Sequence, residues 1–157
     1  MKNTKNSPGV FIPPPLFYVS LFLFSLLLQR YYPVSRGFFQ TSIAHLGGSV
    51  IIAFGLMTTA PALRQFFKTK NTLITVKPAT SLQTNGIYSV SRNPMYLGLL
   101  FVYLGVALIF GNWWTIILLP LLFVLINYFI ILQEEKYLLK AFGASYSDYK
   151  KKVRRWL

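Results

Sequence analysis

Residues 94–132 decide the fold: they read PMYLGLLFVYLGVALIF, then Gly111-Asn112, then WWTIILLPLLFVLINYFIIL. Each apolar run is close to the roughly 20 residues that an α-helix needs to cross a bilayer. Because only two residues separate the runs, the sequence predicts two antiparallel helices joined by a tight turn. Both open ends of such a hairpin lie at one face. The segment before residue 94 and the segment after residue 132 are therefore expected to be neighbours in space.

Two further apolar runs lie upstream and complete the expected set of membrane-spanning helices. The first run follows the proline triplet at residues 13–15, which cannot sit inside a helix, and the second run stops before Pro61. Pro120 is expected to kink the last span. The sequence predicts an all-α, polytopic membrane helix bundle that forms a single domain over residues 1–157, with a C-terminal interfacial helix. The predicted spans are residues 16–32, 41–60, 94–110 and 113–132.

The composition excludes several classes of protein. The chain is 54% hydrophobic and only 12% charged, whereas a soluble domain carries roughly 25% charged residues. A water-soluble globule and a disordered chain are both excluded on that ground. The chain contains no cysteine, so disulfides, thiolate metal sites and thiol nucleophiles are excluded as well. No residue cluster predicts a metal site.

The net charge of +13 is explained by membrane orientation, because the basic residues lie between the apolar runs. With both termini cytoplasmic, fourteen Lys and Arg residues face inward and two face outward, and the reverse topology inverts that ratio. The sequence therefore predicts an integral, multi-pass membrane protein with both termini in the cytoplasm. Anionic lipid headgroups account for the positive charge better than nucleic acid, which is not an expected partner.

The loop before the third span ends in Ser91-Arg92-Asn93-Pro94. In one interpretation Asn93 caps a helix that Pro94 begins, and Arg92 anchors it. In the other, the helix N-terminus and Arg92 together form a site for an anion, since exposed N–H groups carry partial positive charge there. Both interpretations fit the residues.

Glu134 and Glu135 follow the last span and are two of only three acidic residues in the chain. They either form exposed bridges to Lys136 or Lys140, which contribute about 0–1 kcal/mol, or hold a cationic or hydroxyl-bearing ligand. An anion-friendly helix start facing carboxylates would suit a zwitterion with an additional positive charge. S-adenosylmethionine meets that description, as do other ligands.

Two blocks of sequence resemble the signature of the isoprenylcysteine carboxyl methyltransferase-like membrane methyltransferases, which are related to phospholipid methyltransferases. The first block is SLQTNGIYSVSRNPMYLG, at residues 81–98. The second begins with Glu134-Glu135 and continues, at the family's spacing, with Leu138, Phe142, Gly143, Tyr146, Tyr149 and Val153. Together the blocks cover residues 78–153. Asn93 stands where eukaryotic members have a histidine, and Ile130 stands where they carry an arginine for the substrate carboxylate.

The resemblance implies S-adenosylmethionine as the cofactor and a set of residues that bind it. These residues are Thr80, Ser81, Leu82, Gln83, Tyr88, Asn93, Pro94, Met95, Tyr96 and Glu134. Glu135 replaces Glu134 if the register slips by one residue, and Arg92 and Glu135 are the candidates for a catalytic role. His45, the single histidine, is either a packing and hydrogen-bonding residue or a catalytic base.

The expected reaction moves a methyl group from S-adenosylmethionine to a lipophilic small molecule or lipidated substrate. The acceptor is expected to be a carboxylate, such as a prenylcysteine-like C-terminus. Two alternatives stay open: a phospholipid amine as the acceptor, or a non-catalytic membrane protein whose basic C-terminal region docks on anionic lipid.

Overall fold

Helices make up the regular structure of the described chain. The computed structural model describes residues 13–68 and 81–157, and within those ranges it contains no strand. The α-helices are α1 (Pro14–Tyr31), α2 (Ser42–Lys68), α3 (Pro94–Phe110), α4 (Trp113–Ile117), α5 (Leu119–Leu125) and α6 (Leu132–Lys152). Short 3-10 turns cover Gly37–Gln40 and Gly86–Ser89, and a π-helical segment covers Ile126–Ile131. The all-α prediction is confirmed for these residues.

The expectation that Pro61 stops the second helix is wrong. Helix α2 passes through Pro61 and continues to Lys68. A proline inside a helix costs about 3 kcal/mol because it removes one backbone hydrogen bond. Packing on the far side of Pro61 offsets that cost: Ala62 is fully buried, and the Gln65 amide donates to Oε1 of Gln83 at 3.0 Å.

Helices α2 and α3 pack closely and antiparallel along paired glycines. A Cβ atom on Gly98 would overlap the Thr59 hydroxyl and would stand 2.6 Å from the carbonyl oxygen of Gly55. A Cβ atom on Gly105 would stand 2.6 Å from the carbonyl oxygen of Gly48. Small residues allow two helix backbones to approach each other in this way, which favours helix association in membranes.

The turn between α3 and α4 confirms the predicted hairpin. Gly111 ends α3 in the left-handed conformation, with φ of 68°, which glycine adopts without steric cost. Asn112 then caps α4, since its Oδ1 accepts from the Trp114 amide at 3.0 Å. Its Nδ2 donates to Oγ of Ser25 in α1 at 3.0 Å, and that buried contact ties the turn to the first helix.

The chain from Trp113 to Lys152 is one irregular helical run. The helix is interrupted at Leu118, and Pro120 lies in the first turn of α5. The kink expected from Pro120 stays a prediction. Inside α6, Gly143 has non-helical angles (φ 52°, ψ −122°) and bends the helix. A core between α1, α3 and this run contains Tyr18, Tyr96, Tyr103, Leu122, Ile126, Ile130 and Ile131.

Within residues 13–68 and 81–157, two helical stretches are long and apolar enough to cross a membrane: Ser42–Gln65 and Trp113–Lys152. Helix α3 is also apolar but has 17 residues, at the lower limit for a span. Four spans, cytoplasmic termini and an interfacial C-terminal helix stay predictions.

Candidate functional site

The starts of α3 and α6 meet at one end of the bundle, as the hairpin predicted. The hydroxyl of Tyr96, in the first turn of α3, donates to Oε1 of Glu134 at 2.7 Å. The hydroxyl of Tyr18 in α1 donates to the carbonyl of Tyr96 at 3.1 Å. Tyr96 thus connects α3 to Glu134 of α6 through its side chain and to α1 through its carbonyl.

The two adjacent glutamates have different partners. Glu135 is buried and lies 3.1 Å from the Arg92 guanidinium, while Arg155 binds both of its oxygens at 2.8 and 3.0 Å. Among residues 13–68 and 81–157, no ion pair involves Glu134. The bridges to Lys136 or Lys140 are therefore not what holds this pair. Glu135 belongs to a charge cluster with Arg92 and Arg155, whereas Glu134 accepts from the Tyr96 hydroxyl.

Burial governs the chemistry of the groups beside Glu134. It raises the pKa of the Glu134 carboxyl to about 7, and the hydrogen bond from Tyr96 opposes that rise. Tyr88 is buried, and within the described chain its hydroxyl has no hydrogen-bond partner. Burial, together with the nearby Glu134 charge, raises the pKa of Tyr88 above its ordinary value. Tyr88 therefore stays a neutral donor, beside a carboxylate that titrates near neutral pH.

Asn93 and Pro94 begin α3, although Asn93 does not cap it through its side chain. Pro94 is the first helical residue, as predicted. The Asn93 side chain instead donates to the carbonyl of Arg155 at 3.0 Å, and the Asn93 amide donates to Oγ of Ser91 at 3.1 Å. Asn93 thus occupies the predicted N-cap position, but its side chain makes no capping hydrogen bond because it binds the segment after α6.

Arg92 and Glu135, the candidates for catalysis, bind each other. The Arg92 side chain is 8% exposed, its Nη1 lies 3.5 Å from the Tyr146 hydroxyl, and its Nε has no described partner. Such a paired, buried arginine is suited to orienting its neighbours. The described contacts thus favour a positioning role for the pair.

The other predicted donor-binding residues lie in the segment before α3 and in the first turn of α3. Ser81, Leu82 and Gln83 are half-buried in the segment before α3, where Nε2 of Gln83 donates to Oγ of Ser81 at 2.8 Å. Met95 is half-buried in the first turn of α3. Thr80 lies outside the described residues.

Three contacts of the site were not predicted. Oη of Tyr149 donates to the carbonyl of Tyr88 at 2.6 Å, and Arg155 binds both Glu135 and Oδ1 of Asn127, the latter at 3.2 Å. Asn127 is the single amide side chain within residues 113–132, which was a usable signal. No sequence signal distinguished Arg155 from the other basic residues of the C-terminal tail.

His45 lies away from the site. It is exposed near the start of α2, and the antiparallel pairing of Gly48 with Gly105 sets that end of α2 against the end of α3 opposite Tyr96. His45 is therefore not positioned as a base for the Glu134 region.

Comparisons with known proteins agree with the motif blocks. A sequence model of the phospholipid methyltransferase family matches residues 43–145. The chain is 42% identical over 74 residues to a protein-S-isoprenylcysteine O-methyltransferase of Schizosaccharomyces pombe, covering 46% of this chain and 30% of that protein. It is 31% identical over 117 residues to the protein of the same name from Saccharomyces cerevisiae, covering 72% and 48%. The family resemblance drawn from the sequence is confirmed.

A third relative is shorter. The chain is 47% identical over 66 residues to an uncharacterized protein of Haemophilus influenzae, covering 40% of this chain and the whole of that protein. The chain spans less than half the length of either yeast relative. Its similarity to them is centred on one part of those larger proteins.

Proposed function

We propose that this chain, which belongs to the phospholipid methyltransferase family, is a membrane methyltransferase that uses S-adenosylmethionine and methylates a lipophilic acceptor. One observation carries the proposal. Glu134 is a half-buried carboxylate that accepts a hydrogen bond from Tyr96 but pairs with no described cation, while Glu135 beside it is buried and binds two arginines. A carboxylate without a counter-ion is costly unless a ligand compensates for it.

The residues around Glu134 fit the proposed donor molecule. S-adenosylmethionine has an ammonium group, a sulfonium and ribose hydroxyls, all of which a carboxylate can bind, and it has a carboxylate of its own. Glu134 would bind the ammonium, the sulfonium or the ribose hydroxyls. The Tyr88 hydroxyl, buried and without a described partner, would donate to an oxygen or nitrogen of the ligand. Both kinds of contact are present within one site.

The chain's contribution to methyl transfer would be positioning and the exclusion of water. S-adenosylmethionine supplies a sulfonium methyl group that an acceptor takes in an in-line displacement. Fixed geometry of the two reactants lowers the barrier to such a step, and a poorly hydrated site favours the loss of charge separation between an anionic acceptor and a sulfonium. Tyr96 would hold Glu134 in place, and the Arg92–Glu135 pair would fix the starts of α3 and α6 relative to each other.

The acceptor that we propose first is a carboxylate, such as a prenylcysteine-like C-terminus. Both yeast relatives are named for O-methylation of protein-S-isoprenylcysteine. Methylating a carboxylate releases no proton, so the reaction needs no base, and His45 is not near the site to serve as one. Ile130 is fully buried in the core and cannot bind an acceptor carboxylate.

A phospholipid amine is the second acceptor, and one observation favours it. An amine must lose a proton after or during methylation, and Glu134, with a pKa of about 7, would be a suitable base near neutral pH. In that case Glu134 would face the acceptor nitrogen instead of the donor.

Donor binding tests the proposal. Purified protein is irradiated with radiolabelled S-adenosylmethionine, and covalent labelling is compared between wild type, Glu134→Ala and the control Asp148→Ala, whose carboxylate is exposed and pairs with Lys151. We expect labelling of wild type and the control, and little labelling of Glu134→Ala. Equal labelling of all three proteins, or none, favours a non-catalytic membrane protein.

Product analysis then separates the two acceptors. Protein, labelled donor and either a prenylcysteine or mixed phospholipids are incubated together. Volatile label released by base indicates a methyl ester, whereas label that stays with a phospholipid on thin-layer chromatography indicates N-methylation. Ester formation supports the first acceptor, and lipid label alone would replace it with the second.

A further inference from the structure

The segment after α6, residues 153–157, turns back to the start of α3. We call it the return segment. The carbonyl oxygen of Arg155 accepts two hydrogen bonds from the loop that precedes α3, one from Oγ of Ser91 at 3.3 Å and one from Nδ2 of Asn93 at 3.0 Å. A backbone carbonyl with two side-chain donors is held firmly in place, so the return segment forms part of the site's framework.

The Arg155 side chain reaches two other elements of the same site. Its Nε and Nη2 donate to the two oxygens of Glu135 at 3.0 and 2.8 Å, and its Nη1 donates to Oδ1 of Asn127 at 3.2 Å. Asn127 lies in the π-helical segment Ile126–Ile131. Such segments are rare and frequently occur at functional sites. Here the π-helical segment contains Asn127, the side chain that accepts a hydrogen bond from Arg155.

Trp156 anchors the return segment in apolar surroundings. Its ring lies 4.8 Å from that of Phe123, at an interplanar angle of 32°, and it packs against the core cluster around Tyr96 and Ile130. The anchor is chemically independent of the Arg155 hydrogen bonds. The same segment can therefore be loosened through two unrelated substitutions.

The charges around Glu135 allow an effect on site geometry to be told apart from an effect of an unpaired buried charge. The cluster contains two arginines, Arg92 and Arg155, for one carboxylate, Glu135. If Arg155 is replaced, the buried Glu135 carboxylate still pairs with Arg92. Loss of Arg155 should therefore alter the geometry of the site more than the stability of the fold.

We propose that Arg155 is a positioning residue that sets the separation between the first turn of α3 and the glutamates at the start of α6, and thereby sets donor affinity. The inference rests on the proposed function, because it concerns the donor site around Glu134. Through its carbonyl Arg155 holds Asn93, three residues before Tyr96, and through its guanidinium it holds Glu135, next to Glu134. Arg155 thus links the loop before α3 to the start of α6.

The test measures S-adenosylmethionine affinity of the full chain in detergent for three variants and a control. Arg155→Lys keeps the charge but loses the two-pronged contact, and Trp156→Ala removes the apolar anchor. We expect each variant to weaken donor binding about tenfold, which for Arg155→Lys is in line with the loss of a hydrogen bond to a charged group. Asn127→Leu is expected to weaken it about threefold. Lys152→Gln, an exposed position at the end of α6, is expected to leave it unchanged.

A kinetic readout distinguishes positioning from general damage. At saturating acceptor, Arg155→Lys should raise the donor KM and leave kcat within about twofold of wild type, whereas partial unfolding lowers kcat with an unchanged KM. Donor affinity of Arg155→Lys within twofold of wild type overturns the inference. If Trp156→Ala fails to fold, Asn127→Leu replaces it, and wild-type affinity in that variant likewise overturns the inference. Absence of donor binding by the wild type refutes the proposed function instead.

Discussion

The hydroxyl of Tyr96 donates a 2.7 Å hydrogen bond to Oε1 of Glu134, across 38 positions of sequence. The next residue, Glu135, is bound by Arg92 and Arg155. Successive residues of one helix point in different directions, about 100° apart, so these two carboxylates enter separate environments. Glu134 faces the buried tyrosines, and Glu135 faces the arginines. Several measurable consequences arise from this division.

Donor binding should depend on pH through Glu134. Its pKa is raised to about 7, so the carboxyl is protonated below that pH and ionised above it. A ligand ammonium or hydroxyl binds the ionised form better, and affinity should rise between pH 6 and pH 8. In Glu134→Gln the affinity should be low and flat across that interval. The check is a series of donor-binding isotherms, and an equally pH-dependent Glu134→Gln would contradict this assignment.

The same raised pKa predicts the direction of stability for the donor-free protein. The folded state keeps a proton on Glu134 that the unfolded state releases from about pH 4.5 upward. The Glu134 contribution to stability is therefore complete below pH 4.5 and is lost as pH rises through 7. Melting temperatures in detergent, compared between wild type and Glu134→Gln across this interval, measure that contribution. A difference between the two proteins that does not change with pH would be inconsistent with it.

Replacing Glu135 should damage the fold more than replacing an exposed acid. Glu135→Gln removes the carboxylate shared by Arg92 and Arg155 and leaves the buried Arg92 charge unpaired, at a cost of about 3 kcal/mol. Asp148→Asn breaks only the exposed pair with Lys151, which contributes less than about 1 kcal/mol. Unfolding followed by tryptophan fluorescence compares the two variants. Equal melting temperatures would show that the charge cluster contributes little.

Close packing between α2 and α3 predicts opposite outcomes at two glycines. Gly98→Ala places a Cβ atom against the Thr59 hydroxyl and the Gly55 carbonyl, and such overpacking costs about 1–3 kcal/mol. Gly47 has no atom within 4 Å of its Cβ position, so Gly47→Ala should be neutral or stabilising through helix propensity, by up to about 1 kcal/mol. Melting temperatures of both variants decide the matter. A neutral Gly98→Ala would mean that α2 and α3 separate without loss.

The membrane orientation is open to a direct labelling experiment, because the chain contains no cysteine. Ser35→Cys lies in the first connection and Ser145→Cys lies in α6, and both positions are exposed. With both termini cytoplasmic, an impermeant thiol reagent should label Ser35→Cys in intact cells and Ser145→Cys only after permeabilisation. The reverse result would invert the predicted topology.

Much of the fold could be predicted because apolar length and turn residues are local properties. The hairpin at Gly111-Asn112 and the proximity of Tyr96 to Glu134 were both predicted in this way. The end of α2 was not, since Pro61 disfavours a helix locally and only its packed surroundings carry the helix to Lys68. The N-cap position of Asn93 was predicted, but the partner of its side chain was not, because that partner is a carbonyl 62 positions away.

The sequence by itself determined a helical membrane protein of known family, with its acidic pair beside the start of the third predicted span. Hydrophobic length, proline and glycine positions and motif spacing are sufficient for that. Only the tertiary structure decided which glutamate binds the arginines and which accepts a hydrogen bond from Tyr96. That division depends on Arg155 returning to Glu135 across 20 positions, after a bend at Gly143 that no periodicity encodes, because the energy of an ion pair depends on distance in space.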